Sequence, residues 1–299
     1  MGQNAWMSPA TFAAPSRWED ALAEKAARPQ IVPVAGGTDL MVAVNRGHAR
    51  PDALLDLTRV EGLADWSRDG AKLRIGAAVP YARLVRELAP LAPGLAAAAR
   101  TVGSPQIRNR GTVGGNLASA SPAGDCHPPL LAAGAVVEVA SVRGVRRLPV
   151  GEFFTGVKRS ALAADELIAA VELPVARGPQ EFAKVGTRNA MVISVCSVAV
   201  GLDPAAGTVG TGLGSVAPTP RRAVQAEVYV TGEIAEHGLW DSRAELPQPV
   251  AARFGELVAA AAAPIDDVRG TAAYRRHALG VLGRRVLQRA WDGYRTGAP

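Results

Sequence analysis

Two stretches of the chain pair glycines with small polar side chains in a way that suits an anionic ligand. The first is VAGGTDL, Val34 to Leu40, where an apolar run enters Gly36-Gly37-Thr38. A strand feeding such a turn exposes backbone N–H groups with no Cβ in the way, an arrangement that can cradle phosphate. Each hydrogen bond to a charged oxygen contributes about 1.5–3 kcal/mol net, so several together hold a pyrophosphate. The turn is not G-x-G-x-x-G and lies outside an evident Rossmann unit. Taken alone it also describes an ordinary turn before an apolar segment.

The second stretch is GTVGGNLASASPAGD, Gly111 to Asp125. It carries another Gly-Gly pair, hydroxyls at Thr112, Ser119 and Ser121, the amide of Asn116 and the carboxylate of Asp125. Long loops of small residues are uncommon inside compact domains and are often functional. A flexible surface loop is the bland alternative, and it fits poorly with so few charges. Hydroxyls and N–H groups suit phosphate oxygens, whereas a carboxylate repels them, so Asp125 is better matched to ribose or ribityl hydroxyls. Gly36 and Gly114 are 78 positions apart (114 − 36), and the two turns can grip one pyrophosphate from two sides.

Other reactive residues have plainer readings. Cys126-His127 is two adjacent residues and cannot complete a metal site; it reads as a structural turn before Pro128-Pro129. His48, His237 and His277 are isolated and read as surface positions. Cys196 lies in the apolar run Val192–Val200 and reads as an inert core thiol. Lysine occurs only at Lys25, Lys72, Lys158 and Lys184, so Lys184 stands out in a chain that otherwise uses arginine.

Composition narrows the function. The chain has 299 residues, 48% apolar and 20% charged, enough for one large or two ordinary globular domains. Two cysteines are too few for an iron–sulfur cluster or a structural zinc, and they argue for a reducing compartment, the cytoplasm. No apolar run approaches the ~18 residues of a membrane span, and the N-terminus lacks a signal-peptide pattern. The net charge of +6 is dispersed, and aromatics are only 5%, which disfavours nucleic-acid binding. The densest basic group, Arg275, Arg276, Arg284, Arg285 and Arg289, reads as a solvated helix face.

The elements that must position these residues follow from periodicity and breakers. A helix is expected from Ser16 to Ala27, with Ser16 and Glu19 at capping-box spacing. Residues 31–44 read as a strand, the glycine turn, then an apolar helix or second strand. Strands are expected at 54–57, 73–78, 135–140 and 167–173, and helices at 80–88, 94–102 and 130–133. Residues 103–129 read as one long loop. Arg177-Gly178-Pro179 is the expected domain boundary. Beyond it come strands at 182–185, 192–202 and 208–216 and helices at 250–263 and 271–292. The mixture lacks the regular βαβ rhythm of a doubly wound fold, and no internal repeat is present.

These residues resemble the FAD-binding medium subunits of the molybdenum hydroxylases, the xanthine dehydrogenase and carbon-monoxide dehydrogenase family. The resemblance rests on QIRNRGTVGGNLASASPAGD (106–125), VAGGTDL, EFAKVGTR (181–188) and DVRGTAAYRRHALGVLGRR (267–285), and spans nearly the whole chain. It implies an α+β protein: an FAD-binding fold of the p-cresol methylhydroxylase type over residues 1–177, in two subdomains split near 57–60, then a smaller α/β domain over 178–299. It implies that Pro33, Val34, Ala35, Gly36, Gly37, Thr38, Asp39 and Leu40 line the pyrophosphate and flavin, and that Thr112, Val113, Gly114, Gly115 and Asn116 form the second phosphate loop. Asp125, the apolar Ile168 and the basic Lys184 match further cofactor contacts. Val102 stands where a relative carries a bulky aromatic.

The resemblance also implies partners: a small iron–sulfur subunit and a large molybdopterin subunit, with NAD or another acceptor as the outlet and xanthine or a related purine as substrate. No acid–base residue, covalent nucleophile or metal ligand is expected on this chain. One departure is that many relatives carry an acid soon after the positions of Lys184 and Arg188, where this chain has Asn189-Ala-Met-Val-Ile-Ser194, which leaves the acceptor open. Two other readings stand beside it: a stand-alone flavin reductase of the enolpyruvyl amino-sugar type, which needs a serine or cysteine proton donor, and a scaffold that has lost its flavin.

Overall fold

The computed structural model describes residues 11–297. Its first unit comprises β1 (Thr11–Ala13), α1 (Trp18–Ala27), β2 (Val32–Val34), α2 (Leu40–Asn45) and β3 (Ala53–Asp56). The strands form a parallel sheet in the order β1-β3-β2. Parallel neighbours need a crossover, and α2 supplies it, so the Gly36-Gly37 turn sits inside a βαβ unit after all. The open alternative for residues 40–44 resolves as helix. The capping box at Ser16 does not form: Arg17 occupies the cap position in extended conformation with no side-chain cap. That one-residue shift moves Glu19 off the reciprocal position, and the Ser16 carbonyl instead accepts from Glu61 N–H.

The second unit runs through β4 (Trp66–Asp69), β5 (Lys72–Gly76), α3 (Tyr81–Glu87), α4 (Pro93–Arg100), α5 (Pro105–Arg110), α6 (Val113–Ser119), α7 (His127–Ala132), β6 (Val136–Ser141), β7 (Gly144–Pro149), α8 (Val150–Phe153), β8 (Phe154–Gly156), β9 (Arg159–Ser160) and β10 (Leu167–Pro174). Five strands form an antiparallel sheet ordered β4-β5-β10-β6-β7. The near-continuous apolar run of β10 is central and buried along almost its whole length, whereas β7, carrying Arg146 and Arg147, is an edge with an exposed outer row. The expected long loop at 103–129 is largely helical. Ser104 and Thr112 accept hydrogen bonds from Ile107 and Gly115 N–H and so cap α5 and α6. Pro105 and the Pro128-Pro129 pair sit in the first turns of α5 and α7, where a missing N–H costs nothing.

The third unit comprises β11 (Gln180–Val185), β12 (Cys196–Asp203), β13 (Thr208–Gly214), α9 (Val224–Glu236), α10 (Leu239–Ser242), α11 (Gln248–Ala260) and α12 (Ala272–Thr296). Its antiparallel sheet alternates along β12. Cys196, Val198 and Val200 enter a core with Phe254, Leu287 and Trp291, while Ala199 faces the second unit beside Ala98 and Phe182. The first two units share a single core, in which Ile31 and Leu55 pack with Leu73, Ile75 and Val137. Among the described residues no helix is long and apolar enough to cross a membrane.

Candidate functional site

A cleft of about 1080 Å³ opens where all three units meet. Its walls are the β2–α2 turn, the start of α6 with the segment after it, the 157–166 segment, and a face of the third unit around Ser215, Ile265 and Arg275. A smaller depression of about 510 Å³ lies on the outer side of α12 beside Arg285, Arg289 and Arg295, away from every glycine turn.

The β2–α2 turn is pressed against the segment before α6. A Cβ on Gly36 would lie 2.1 Å from the Arg110 carbonyl oxygen and 2.9 Å from Gly111 Cα, so only glycine permits the approach. The N–H groups of Gly36, Gly37, Thr38 and Asp39 donate to no acceptor among the described residues. Four unpaired donors in succession at the edge of a cleft suit an anion.

The α6 side is built differently. Its N–H groups are spent internally: Val113 donates to Val79 O, Gly114 to Ala77 O, Gly115 to Thr112 Oγ1 and Asn116 to Thr112 O. Gly114 is buried, and a Cβ there would lie 2.6 Å from that of Ala77, so its role is to seat α6 on the sheet. What α6 and its cap present to the cleft is Thr112, Gly115, Asn116, Ala118 and Ser119, and the buried Asn116 Oδ1 lacks a partner.

The structure thus brings Pro33, Val34, Ala35, Gly36, Gly37, Thr38, Asp39, Leu40, Thr112, Gly115 and Asn116 to one cleft. Val113 and Gly114 lie beneath it. Val102 is half-buried against the core, and Ile168 is buried in β10 opposite Val139. Asp125 and Lys184 are not on the lining. They pair with each other at 2.6 Å, each side chain about 9% exposed, and join the second and third units. Lys184 Nζ also donates to Thr101 O at 3.0 Å and Val192 O at 3.2 Å. Burial raises the Asp125 carboxyl above its ordinary range while Lys184 opposes it, and Asp125 Oδ1 is left without a partner.

Several lining residues carried no reading as site residues. Tyr81 opens α3 at the cleft floor, its phenol pushed well up by burial, with Asp39 and Asp125 contributing. Lys25 is buried, its ammonium bonded to Pro29 O at 2.7 Å and Ile31 O at 2.8 Å and its pKa lowered by burial. Arg275 corrects the solvated-face reading of the basic group. Arg276, Arg284, Arg285 and Arg289 are exposed, but Arg275 is 2% exposed and lines the cleft. It donates to Asp267 and to Ser215 O. Hydrogen bonds from Arg269 and then Arg275 hold Asp267 well below the usual carboxylate range.

Cys126-His127 opens α7. His127 is fully buried, 3.1 Å from Asn116 O, and tilted against Phe154 at 4.5 Å; burial lowers its pKa to about 4. No group of three metal-ligating side chains exists among the described residues. Cys196 is buried, its thiol pushed up to about 11 by burial. His48, His237 and His277 are exposed.

The free N–H turn, the backbone approach at Gly36 and the unpartnered Asn116 amide oxygen fit a ligand with a diphosphate and hydroxyls. Comparisons agree. The FAD binding domain in molybdopterin dehydrogenase matches residues 8–176 and the CO dehydrogenase flavoprotein C-terminal domain matches residues 181–290. The nicotine 6-hydroxylase medium subunit of Paenarthrobacter nicotinovorans is 32% identical over 95% of this chain and 98% of its own. The xanthine dehydrogenase FAD-binding subunit of Escherichia coli O157:H7 is 31% identical over 91% of this chain and 92% of its own. Among solved structures, a chain of quinoline 2-oxidoreductase from Pseudomonas putida 86 superposes with a TM-score of 0.87 at 25% identity, covering 96% of this chain and 99% of that one.

Proposed function

The chain belongs to the molybdenum hydroxylase family as an FAD-binding medium subunit, and from that premise we propose its place in a larger assembly. Bound FAD would supply the redox chemistry that links the iron–sulfur clusters of a small partner subunit to NAD or another acceptor. The substrate is oxidised in a large molybdopterin subunit, and the first candidate is xanthine or a related purine. The division of the chain falls near residues 177–178, between the shared core of the first two units and the core of the third.

The observation that carries this reading is the Gly36–Asp39 turn, with free N–H groups, facing Thr112, Gly115 and Asn116 across one cleft. The turn would hold the pyrophosphate. Thr112 and Asn116 would orient it from the other side, and Tyr81 with the buried core beneath would keep water from the floor. The Asp125–Lys184 pair would fix the third unit against the second and so set the width of the cleft. The chain's own residues supply position and electrostatics; none is assigned a proton transfer. The match of the C-terminal domain over residues 181–290 favours the subunit over a stand-alone reductase, and the intact turns favour it over a flavin-less scaffold.

The test is to purify the chain with the products of its neighbouring genes, then reduce the bound flavin and offer NAD, oxygen and a quinone in turn. Co-purification of a larger and a smaller partner with rapid reoxidation by NAD is expected. A chain that purifies alone and oxidises purine unaided would refute the assignment.

A further inference from the structure

Ser215 follows β13 where the third unit reaches the cleft, and its φ is +61°. That left-handed conformation is strained for any residue with a Cβ. Two hydrogen bonds from different parts of the fold hold it there. Its N–H donates to the Pro122 carbonyl of the second unit at 2.8 Å, and its carbonyl accepts from Arg275 Nη1 at 2.8 Å. Arg275 is itself buried and tied to Asp267. Glycine would adopt this backbone without strain, so what the serine adds is its hydroxyl. That hydroxyl has no partner among the described residues, although Ser215 is only 7% exposed and lines the cleft. A buried polar group left unpaired in an otherwise over-determined position calls for a ligand. On the third unit's side the cleft is lined by the aliphatic Ile193, Ala217, Pro218, Ala263 and Ile265, with the charged Asp267, Arg269 and Arg275 on the same side. The charged groups are bonded among themselves and to the Ser215 carbonyl, so the aliphatic residues and the unpaired hydroxyl are left for a flat ring packed on its face and hydrogen-bonded at its edge.

We propose that Ser215 is a ligand-contact residue of the cleft, its hydroxyl donating to the carbonyl-bearing edge of a planar heterocycle, either the flavin ring or the nicotinamide of a dinucleotide acceptor. The inference rests on the reading of this cleft as the FAD site. Arg275 is the positioning residue: its guanidinium fixes the Ser215 backbone.

Ser215→Ala keeps the Cβ and the strain and removes only the hydroxyl. Titration of the full chain with FAD, followed by flavin fluorescence, should show roughly five- to tenfold weaker binding if the flavin ring is the partner. If the nicotinamide is the partner, FAD affinity stays and the NADH concentration needed to bleach the bound flavin rises by a similar factor. Ser215→Gly relaxes the backbone, so the ligand-free chain should unfold at an equal or higher temperature while the same ligand weakens, a pairing a purely structural serine would not produce. FAD and NADH dependences both within twofold of wild type in Ser215→Ala would overturn the inference alone. Failure of the wild-type chain to take up FAD would overturn the underlying reading and the inference with it.

Discussion

Gly36→Ala is the substitution whose effect the structure specifies most fully. The new Cβ would stand 2.1 Å from the Arg110 carbonyl oxygen, against an ordinary contact of 3.4 Å or more, so the turn and the segment before α6 must part by at least 1.3 Å (3.4 − 2.1). The atoms it meets are backbone and cannot swing aside. Overpacking of this kind costs about 1–3 kcal/mol. The larger effect falls on the ligand, because the displaced segment carries the free N–H groups of Gly36 to Asp39. Losing two hydrogen bonds to a diphosphate at about 1.5–3 kcal/mol each weakens FAD binding about 10²- to 10⁴-fold. Fluorescence titration with FAD reads the affinity, and thermal unfolding of the ligand-free chain reads the strain. Gly232→Ala, in α9 with nothing within 4 Å of the added Cβ, is the control. It should gain up to about 1 kcal/mol of helix stability and leave FAD affinity unchanged. A Gly36→Ala chain that binds FAD within about threefold of wild type, with an unchanged unfolding temperature, would refute the two-sided cleft.

Other expectations follow from the paired charges and the buried thiols. Lys184→Met leaves Asp125 as an uncompensated buried carboxylate and should cost about 3–5 kcal/mol at neutral pH in urea unfolding. Lys184 opposes the upward shift of Asp125, so without it the carboxyl rises further; the lost stability should return as pH falls through that raised value, and Asp125→Asn in the same chain should restore much of it. Glu87 is held at about 2 by hydrogen bonds from Arg83 first, then Trp66 and Arg86. Its contribution is full above about pH 4.5 and disappears as pH falls toward 2, so Glu87→Gln should flatten the acid limb of a stability–pH curve. Burial pushes Cys196 up to about 11 and Cys126 higher still, so neither thiol should be alkylated at about pH 8 until the chain is unfolded.

How far the sequence reached depended on what stabilises each element. Strands such as β5, β6 and β10 and the helix α12 carry apolar periodicity and were legible. The helices α5 and α6 were not: α5 is only six residues long, and Gly114, Gly115 and Asn116 of α6 are poor helix formers. They are helical because Ser104 and Thr112 cap them and because Gly114 packs on Ala77, a tertiary effect that no local pattern announces. The Gly36 turn was legible as a turn with exposed N–H groups, yet its fit against Arg110 is a contact across 74 positions (110 − 36) that spacing does not encode. Arg275 did carry a signal. It lies four residues before Leu279, on the same α12 face as Val286 and Ala290, and all four are buried; a basic residue on an apolar stripe marks a buried guanidinium. Ser215 carried none, since its backbone conformation and its bonds to Pro122 and Arg275 appear only when the second and third units meet.

On the proposed function, this chain holds FAD in the cleft lined by Gly36–Asp39 and Asn116 and does not itself oxidise a substrate. That reading is tested most directly by purifying the full chain by itself, measuring flavin per polypeptide from absorbance after denaturation, and assaying the same sample with xanthine. Close to one FAD per chain, released by Gly36→Ala, and no turnover of xanthine are expected. A colourless chain that takes up no added FAD, or one that oxidises xanthine without partners, would contradict that reading.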